Sequence, residues 1–399
     1  MMRFAARVGR VVTSPSTLAA QRAREMKAAG ADIVSLTTGE PDFPTPEHII
    51  EAAFRAARAG QTRYTTVSGT VELKAAIIEK FHRENGLDYE PANIIIGNGG
   101  KHVLFNALMA TVDAGAQVII AAPYWISYPQ IVQLAGGTPR IVPCGEATGF
   151  KLTPESLEAA IRPSTRWLIL NSPSNPSGAT YSGAELAALA EVLLRHPHVS
   201  ILSDDIYENI IFDGRSFATI AAVCPELKAR TLTLNGVSKT YGMTGWRLGF
   251  AGGPEPLIRE MIKMLSQSTA APSSISQAAA VAALTGPQEF VRENARSFEQ
   301  RRDLAVAMLN QAKGLTCRSP EGAFYAFPDC SRLIGKRTPK GDVLACDRDV
   351  VLYLLDRGVA AVQGEAYGLS PHFRISFAVA SEHLSEACRR IQSACAELI

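Results

Sequence analysis

The sequence predicts an α/β fold: a mostly parallel sheet covered by helices on both faces, followed by a smaller α+β domain. Three observations predict it. From residue 94 to 234, short apolar runs of strand length alternate with helical segments, the pattern of a buried parallel sheet and its crossovers. After about residue 290 the texture changes, as a long and highly charged helix opens a stretch of mixed strands and helices. The 399 residues, 47% hydrophobic and 20% charged, suffice for two or three domains with a sizeable core.

In chain order, a helical pattern at 17–29 closes at Gly30, and Ile33-Val34-Ser35-Leu36 is a short strand. It leads into Thr37-Thr38-Gly39-Glu40-Pro41-Asp42-Phe43-Pro44, a loop held by its glycine and prolines. Helices near 47–59 and 70–84 precede the strand at 94–96, and a helix at 101–112 precedes the strand at 118–120. The alternation continues with a helix near 125–135, strands near 139–142 and 167–170, a helix near 183–195 and a strand at 199–203. Thr231-Leu232-Thr233-Leu234 alternates as a strand does until Asn235-Gly236 breaks the pattern. Beyond it lie a helix from about Pro287 to Lys313, strand-like 322–327, a helix at 347–357, strands at 359–362 and 373–377, and a final helix. The expected division is 40–290 for the large domain, with 1–39 and 291–399 forming the small one.

Composition narrows the function. A net charge of +2 from 40 basic and 38 acidic residues, with no long block of either sign, points away from nucleic acid and membrane surfaces. No apolar run approaches the roughly 20 residues of a membrane span. The first residues are mildly basic but lack the apolar stretch and cleavage site of a secretory signal, and read as a native terminus or an alternative start. Seven scattered cysteines without a Cys-x-x-Cys pair favour reduced thiols in the cytoplasm, and with no His-Glu-x-x-His no metal is expected.

The residues just past the strand ends carry the chemistry, because ligands of open α/β sheets lie beyond the strands' carboxyl ends. Lys239 follows a strand, among glycines and hydroxyls; partly desolvated and beside other cations, such an amine loses its proton readily and can attack a carbonyl. Ser238 and Arg247 are then candidates to hold a phosphate, the arginine through its forked donors. Gly97-Asn98-Gly99-Gly100-Lys101 joins a strand to a helix N-terminus, either a tight turn or an anion site. Asp204 ends a strand and Tyr207 lies three residues on, so the carboxylate is a partner for a protonated ring nitrogen or a helix cap. Asn175-Pro176 is a candidate cis peptide, Trp125 a flat face for a heteroaromatic ring or a core residue, and Arg374 a carboxylate clamp or a solvent-facing side chain.

Gly39-Glu40-Pro41-Asp42-Phe43, Tyr64-Thr65-Thr66-Val67-Ser68-Gly69, Asn171 to Gly178, Asp204 with Tyr207, the segment from Ser238 to Arg247, and Arg374 resemble, in order, the fold-type I pyridoxal-phosphate aminotransferases. The resemblance spans nearly the whole chain and is nearest to the bacterial class I branch of aspartate aminotransferases, some of which accept prephenate. It implies a large domain on a seven-stranded-type, mostly parallel sheet. It implies Lys239 as the Schiff-base lysine and proton shuttle, Asp204 on the pyridine nitrogen, Asn175 and Tyr207 on the phenolic oxygen, and Trp125 stacked on the ring. Gly99, Gly100 and Lys101 through their N–H groups, with Ser238 and Arg247, are implied to hold the phosphate. Tyr64 is implied to reach the phosphate of a partner subunit in a homodimer. Arg374 and Asn175 are implied to bind the substrate α-carboxylate, with the Gly39 backbone closing over it.

Lys101 is the expected substrate determinant, since the branch associates a lysine there with the distal carboxylate, and a cation at a helix start wants an anionic partner. Ser14-Pro15-Ser16-Thr17 departs from the pattern near the substrate lid. The leading reaction is amino transfer from aspartate to 2-oxoglutarate. A prephenate or aromatic aminotransferase and a pyridoxal-phosphate lyase are the rivals within the fold. A non-catalytic sensor is the rival outside it, and no helix-turn-helix extension or basic patch supports it.

Overall fold

The computed structural model describes residues 2–399. Its strands in chain order are β1 Val34–Ser35, β2 Ile94–Gly97, β3 Gln117–Ala122, β4 Thr138–Pro143, β5 Thr165–Asn171, β6 Ser200–Asp204, β7 Thr231–Gly236 and β8 Gly249–Gly252. The chain then adds β9 Tyr325–Ala326, β10 Val359–Ala360, β11 Val362–Gln363 and β12 Phe373–Ser376.

One seven-stranded sheet has the order β2-β8-β7-β6-β5-β3-β4. β8 is antiparallel to both its neighbours and the other pairs are parallel, so every strand except β8 runs one way. Helices cover both faces because successive residues bury in opposite directions: Val118, Ile120 and Ile169 join one core with Trp167 and Leu104, while Ile119, Leu168 and Leu170 join another with Leu186 and Leu189. All six residues of β7 are buried, its threonines included. Their hydroxyls bond to Leu227 O and to the Tyr89 hydroxyl, so the polar–apolar alternation does not mark a solvent face.

The remaining strands form two small sheets, parallel β1-β10 and antiparallel β11-β12-β9. Their core is aromatic, with Phe324, Phe373 and Phe377 packed under the helices Glu289–Gln311 and Ser381–Ala396.

Several elements differ from expectation. The strand at 322–327 shrinks to Tyr325–Ala326, because Gly322 instead bridges Ile211 and Ala323 takes a positive φ of 57°. The strand at 359–362 divides in two, since β10 pairs with β1 and β11 with β12. β8 and the helices Glu255–Ser266 and Ser274–Thr285 have no counterpart in the sequence reading. β8 is Gly249-Phe250-Ala251-Gly252, poor in strand-forming residues, and its glycines answer to space instead. A Cβ on Gly249 would stand 2.2 Å from Gly100 N, and one on Gly252 would stand 2.3 Å from the Tyr89 ring.

Candidate active site

The carboxyl ends of β2, β3, β5, β6 and β7 open into a cavity of about 490 Å³. Thr37, Gly39 and Glu40 complete its wall, with Tyr325 of β9 and Arg374 of β12.

Lys239, three residues past β7, donates from Nζ to Gly39 O at 2.5 Å. No carboxylate lies within ion-pair distance among the described residues. Burial pushes its pKa down to about 8; Glu40 and Asp204 oppose that shift, and Arg374 and Arg247 add to it. A neutral, nucleophilic amine is therefore available near neutral pH.

Asp204 closes β6, buried. Tyr128 OH donates to its Oδ2 at 2.6 Å, while Oδ1 has no partner among the described residues. Burial raises this carboxyl to about 6 against the pull of the Tyr128 hydroxyl, the Ile206 N–H and Lys239. A buried acceptor left open in this way fits a cationic N–H donor. Next to it the Tyr207 and Tyr325 hydroxyls meet at 2.8 Å.

Arg374 is 3% exposed, which rules out the solvent-facing alternative. Its Nη1 donates to Asn175 Oδ1 at 3.1 Å and its Nη2 to Thr37 O at 2.5 Å, while Nε has no partner. The guanidinium lies over the rings of Tyr325 and Tyr367, 4.6 and 5.2 Å from their centroids, and makes no ion pair among the described residues, so its charge remains for a ligand.

The opposite end of the cavity offers donors that could hold an anion. Gly99 has φ +90° and caps the helix Gly100–Thr111, whose first N–H groups have no partner within the helix. The Arg247 guanidinium would stand 2.7 Å from a Cβ on Gly99, a space that only glycine leaves open. Arg247 is held by Thr244 O at 2.9 Å, and Ser238 lines the same end. Lys101 lies over the Trp125 ring at 4.8 Å and makes no ion pair among the described residues. Burial, then Arg247, pushes its pKa down.

Residues 31–391 match the family model for aminotransferases of class I and II. The chain belongs to this family. An aspartate/prephenate aminotransferase of Cereibacter sphaeroides is 58% identical over 392 residues, covering 98% of each chain. An aspartate aminotransferase of Rhizobium meliloti is 54% identical across 99% of this chain and 96% of its own. Among solved structures, the Rhizobium meliloti aspartate aminotransferase superposes with a TM-score of 0.98 at 53% identity, with both chains covered fully. The Thermus thermophilus aspartate aminotransferase with maleate gives 0.92 at 39%, covering 99% of this aminotransferase and 100% of that chain.

Of the residues singled out by sequence, Gly39, Gly100, Lys101, Trp125, Asn175, Asp204, Tyr207, Ser238, Lys239, Arg247 and Arg374 share the cavity wall. Gly99 lies immediately behind it. Tyr64 is 97% exposed and away from the cavity. Asn175-Pro176 is cis. The sequence reading gave no role to Tyr128, Asn171 or Tyr325. Asn171 binds Asp204 O and the Asn175 N–H, both at 2.9 Å. Tyr128 lies in the first turn of the helix Ser127–Leu134, three residues after Trp125; on the helix expected near 125–135 that i, i+3 spacing was available as a signal. Nothing local marks Tyr325, whose partners are remote in sequence.

Proposed function

We propose that the chain is a pyridoxal-phosphate-dependent aspartate aminotransferase, reversibly moving the amino group of L-aspartate to 2-oxoglutarate to give oxaloacetate and L-glutamate. One observation carries the proposal: the Lys239 amine, the open oxygen of Asp204 and the unneutralised Arg374 guanidinium line a single cavity. The names of the relatives support it, as does the dicarboxylate maleate in the Thermus thermophilus structure.

The residues fit the cofactor. Asp204 Oδ1 suits a protonated ring nitrogen, Asn175 and Tyr207 a phenolic oxygen, and Trp125 a ring face. The Gly99-Gly100-Lys101 backbone, Ser238 and Arg247 suit a phosphate. When bound, pyridoxal phosphate supplies an electron sink for the pair released at the substrate's α-carbon. The protein orients, binds and moves protons. Lys239 would anchor the cofactor through Nζ, and the same amine, once free, would accept the substrate's α-proton and pass it to the cofactor side instead of giving it back to the α-carbon. Arg374, set by Asn175 and Thr37 O, binds the α-carboxylate in fork geometry, and the Gly39 backbone closes beside it. Lys101, unpaired above Trp125, receives the distal carboxylate.

The proposal includes a homodimer in which the exposed Tyr64 reaches the partner subunit's phosphate, the division into 40–290 and the remainder, and a cytoplasmic location. Among the described residues, no helix is long and apolar enough to cross a membrane. Prephenate as amino acceptor is the second reading, favoured by the Cereibacter sphaeroides relative, since Lys101 meets a second carboxylate in either substrate.

Half-reaction spectra of the holoprotein with aspartate, glutamate, phenylalanine and arogenate test both readings against a Lys239→Ala control. Rapid loss of the bound cofactor's absorbance with aspartate and glutamate, absent in the control, is expected. A preference for arogenate or phenylalanine moves the assignment to the aromatic branch, and no response to any donor refutes it.

A further inference from the structure

His372 lies one residue before β12 and is 6% exposed. Its ring stacks on Phe327 at 4.9 Å and 8°, and Phe150 meets it edge-on at 5.7 Å. Packing on two sides fixes the ring, yet among the described residues neither ring nitrogen has a hydrogen-bond partner. A buried imidazole left open on both nitrogens calls for a ligand.

Two carboxylates face it. Asp329 pairs with His372 across an antiparallel bridge, which sends both side chains to one side. The Ser331 N–H donates to Asp329 Oδ1 at 2.5 Å and orients that carboxylate. Glu146, on the loop after β4, brings Oε1 to 3.8 Å from His372 Nε2, beyond hydrogen-bond range, and this oxygen is also buried without a partner. One ligand atom from each of the three lies within 4.8 Å of the others. Donors about 2.0 Å from a tetrahedral ion stand roughly 3.3 Å apart, so binding an ion would close the 3.8 Å gap between Glu146 and His372 by about 0.5 Å and the widest pair of the cluster by up to about 1.5 Å.

We propose that Glu146, Asp329 and His372 form a site for a divalent transition-metal cation that ties the loop after β4 to the β11-β12-β9 sheet. One imidazole and two carboxylates suit Zn²⁺, with the fourth position left to water. The site braces the strand that carries Arg374 and takes no part in the amino transfer. Its ligands are far apart in sequence, so no local motif announces it.

The test is a Zn²⁺ titration of the holoprotein by calorimetry, paired with thermal melts. It uses a Cys346→Ser background, because Cys346 is the one exposed thiol and would bind zinc itself. The expected result is saturation at one equivalent per chain and a raised Tm. Glu146→Gln, a substitution on a partly exposed loop, should weaken binding more than about tenfold and abolish the Tm shift, and His372→Gln should do the same. Equal titrations of the Cys346→Ser background and its Glu146→Gln variant, as a water-filled cluster would give, would overturn the proposal.

Discussion

Tyr128 donates its hydroxyl to Asp204 Oδ2 at 2.6 Å and leaves Oδ1, on a residue that lines the cavity, without a partner among the described residues. The tyrosine divides the carboxylate between a protein partner and a ligand. Its hydrogen bond also resists the burial that raises Asp204 to about 6, so the tyrosine favours the ionised acid that the proposed contact with a cationic ring nitrogen requires. Tyr128→Phe should therefore loosen the cofactor and slow turnover. A charge-assisted bond is worth about 1.5–3 kcal/mol, so kcat should fall roughly tenfold to a hundredfold, with easier loss of the cofactor on dialysis. Unchanged kcat and retention would show that the bond only packs the core.

Lys239 sets a pH dependence. Its pKa is lowered from 10.5 to about 8 in the folded chain, so the amine becomes neutral, and competent to capture an aldehyde, as pH rises through about 8. Stopped-flow capture of pyridoxal phosphate by the apoprotein should accelerate from pH 7 to 9 and then level. The same shift destabilises the folded apoprotein below the unfolded value: between about 8 and 10.5 the unfolded state binds more protons, so this group's contribution to stability rises with pH across that window. A capture rate still climbing past pH 10 would place the pKa at its ordinary value.

The role proposed for Lys101 at the distal carboxylate is open to test. Lys101→Met keeps the stem over Trp125 and removes the charge, so kcat/KM for aspartate and glutamate should fall roughly tenfold, about 1.4 kcal/mol, with KM carrying most of the loss. Phenylalanine should be unaffected or improved. An equal loss for all three donors would point to the phosphate end instead, where only the Lys101 backbone is assigned.

Gly249→Ala tests the floor of the anion site. Its Cβ would stand 2.2 Å from Gly100 N and 2.6 Å from Gly99 C, both backbone atoms that cannot swing aside. The helix N-terminus must shift, and cofactor affinity should drop at least roughly tenfold, measured by fluorescence titration of the apoprotein. Retained affinity would show that the cradle does not depend on this approach.

Away from the site, Lys80 is buried with Glu208, whose other oxygen accepts from Asn85 at 2.6 Å. Lys80→Met strands a buried carboxylate and should cost about 3–5 kcal/mol in denaturant unfolding. Adding Glu208→Gln should recover part of that loss, because the neutral amide no longer leaves a charge unpaired.

The sequence by itself determined most strands of the sheet and most of the residues that gather at their carboxyl ends. Runs such as Ile94-Ile95-Ile96 and Trp167-Leu168-Ile169-Leu170 specify buried strands locally, and the residues just past them, Gly100, Asn175, Asp204 and Lys239, inherit a common place at the carboxyl edge. Tertiary structure alone decided the rest. Strand β8 is glycine-rich because its neighbours need the space, which no window of its own residues reveals. Tyr325 meets Tyr207, and Tyr128 meets Asp204, across long stretches of chain. Glu146, Asp329 and His372 converge only when the loop after β4 reaches the small sheet. Local patterning carries the information for burial and turn chemistry; the choice of partner for a buried polar atom depends on which remote segments packing brings within hydrogen-bond range.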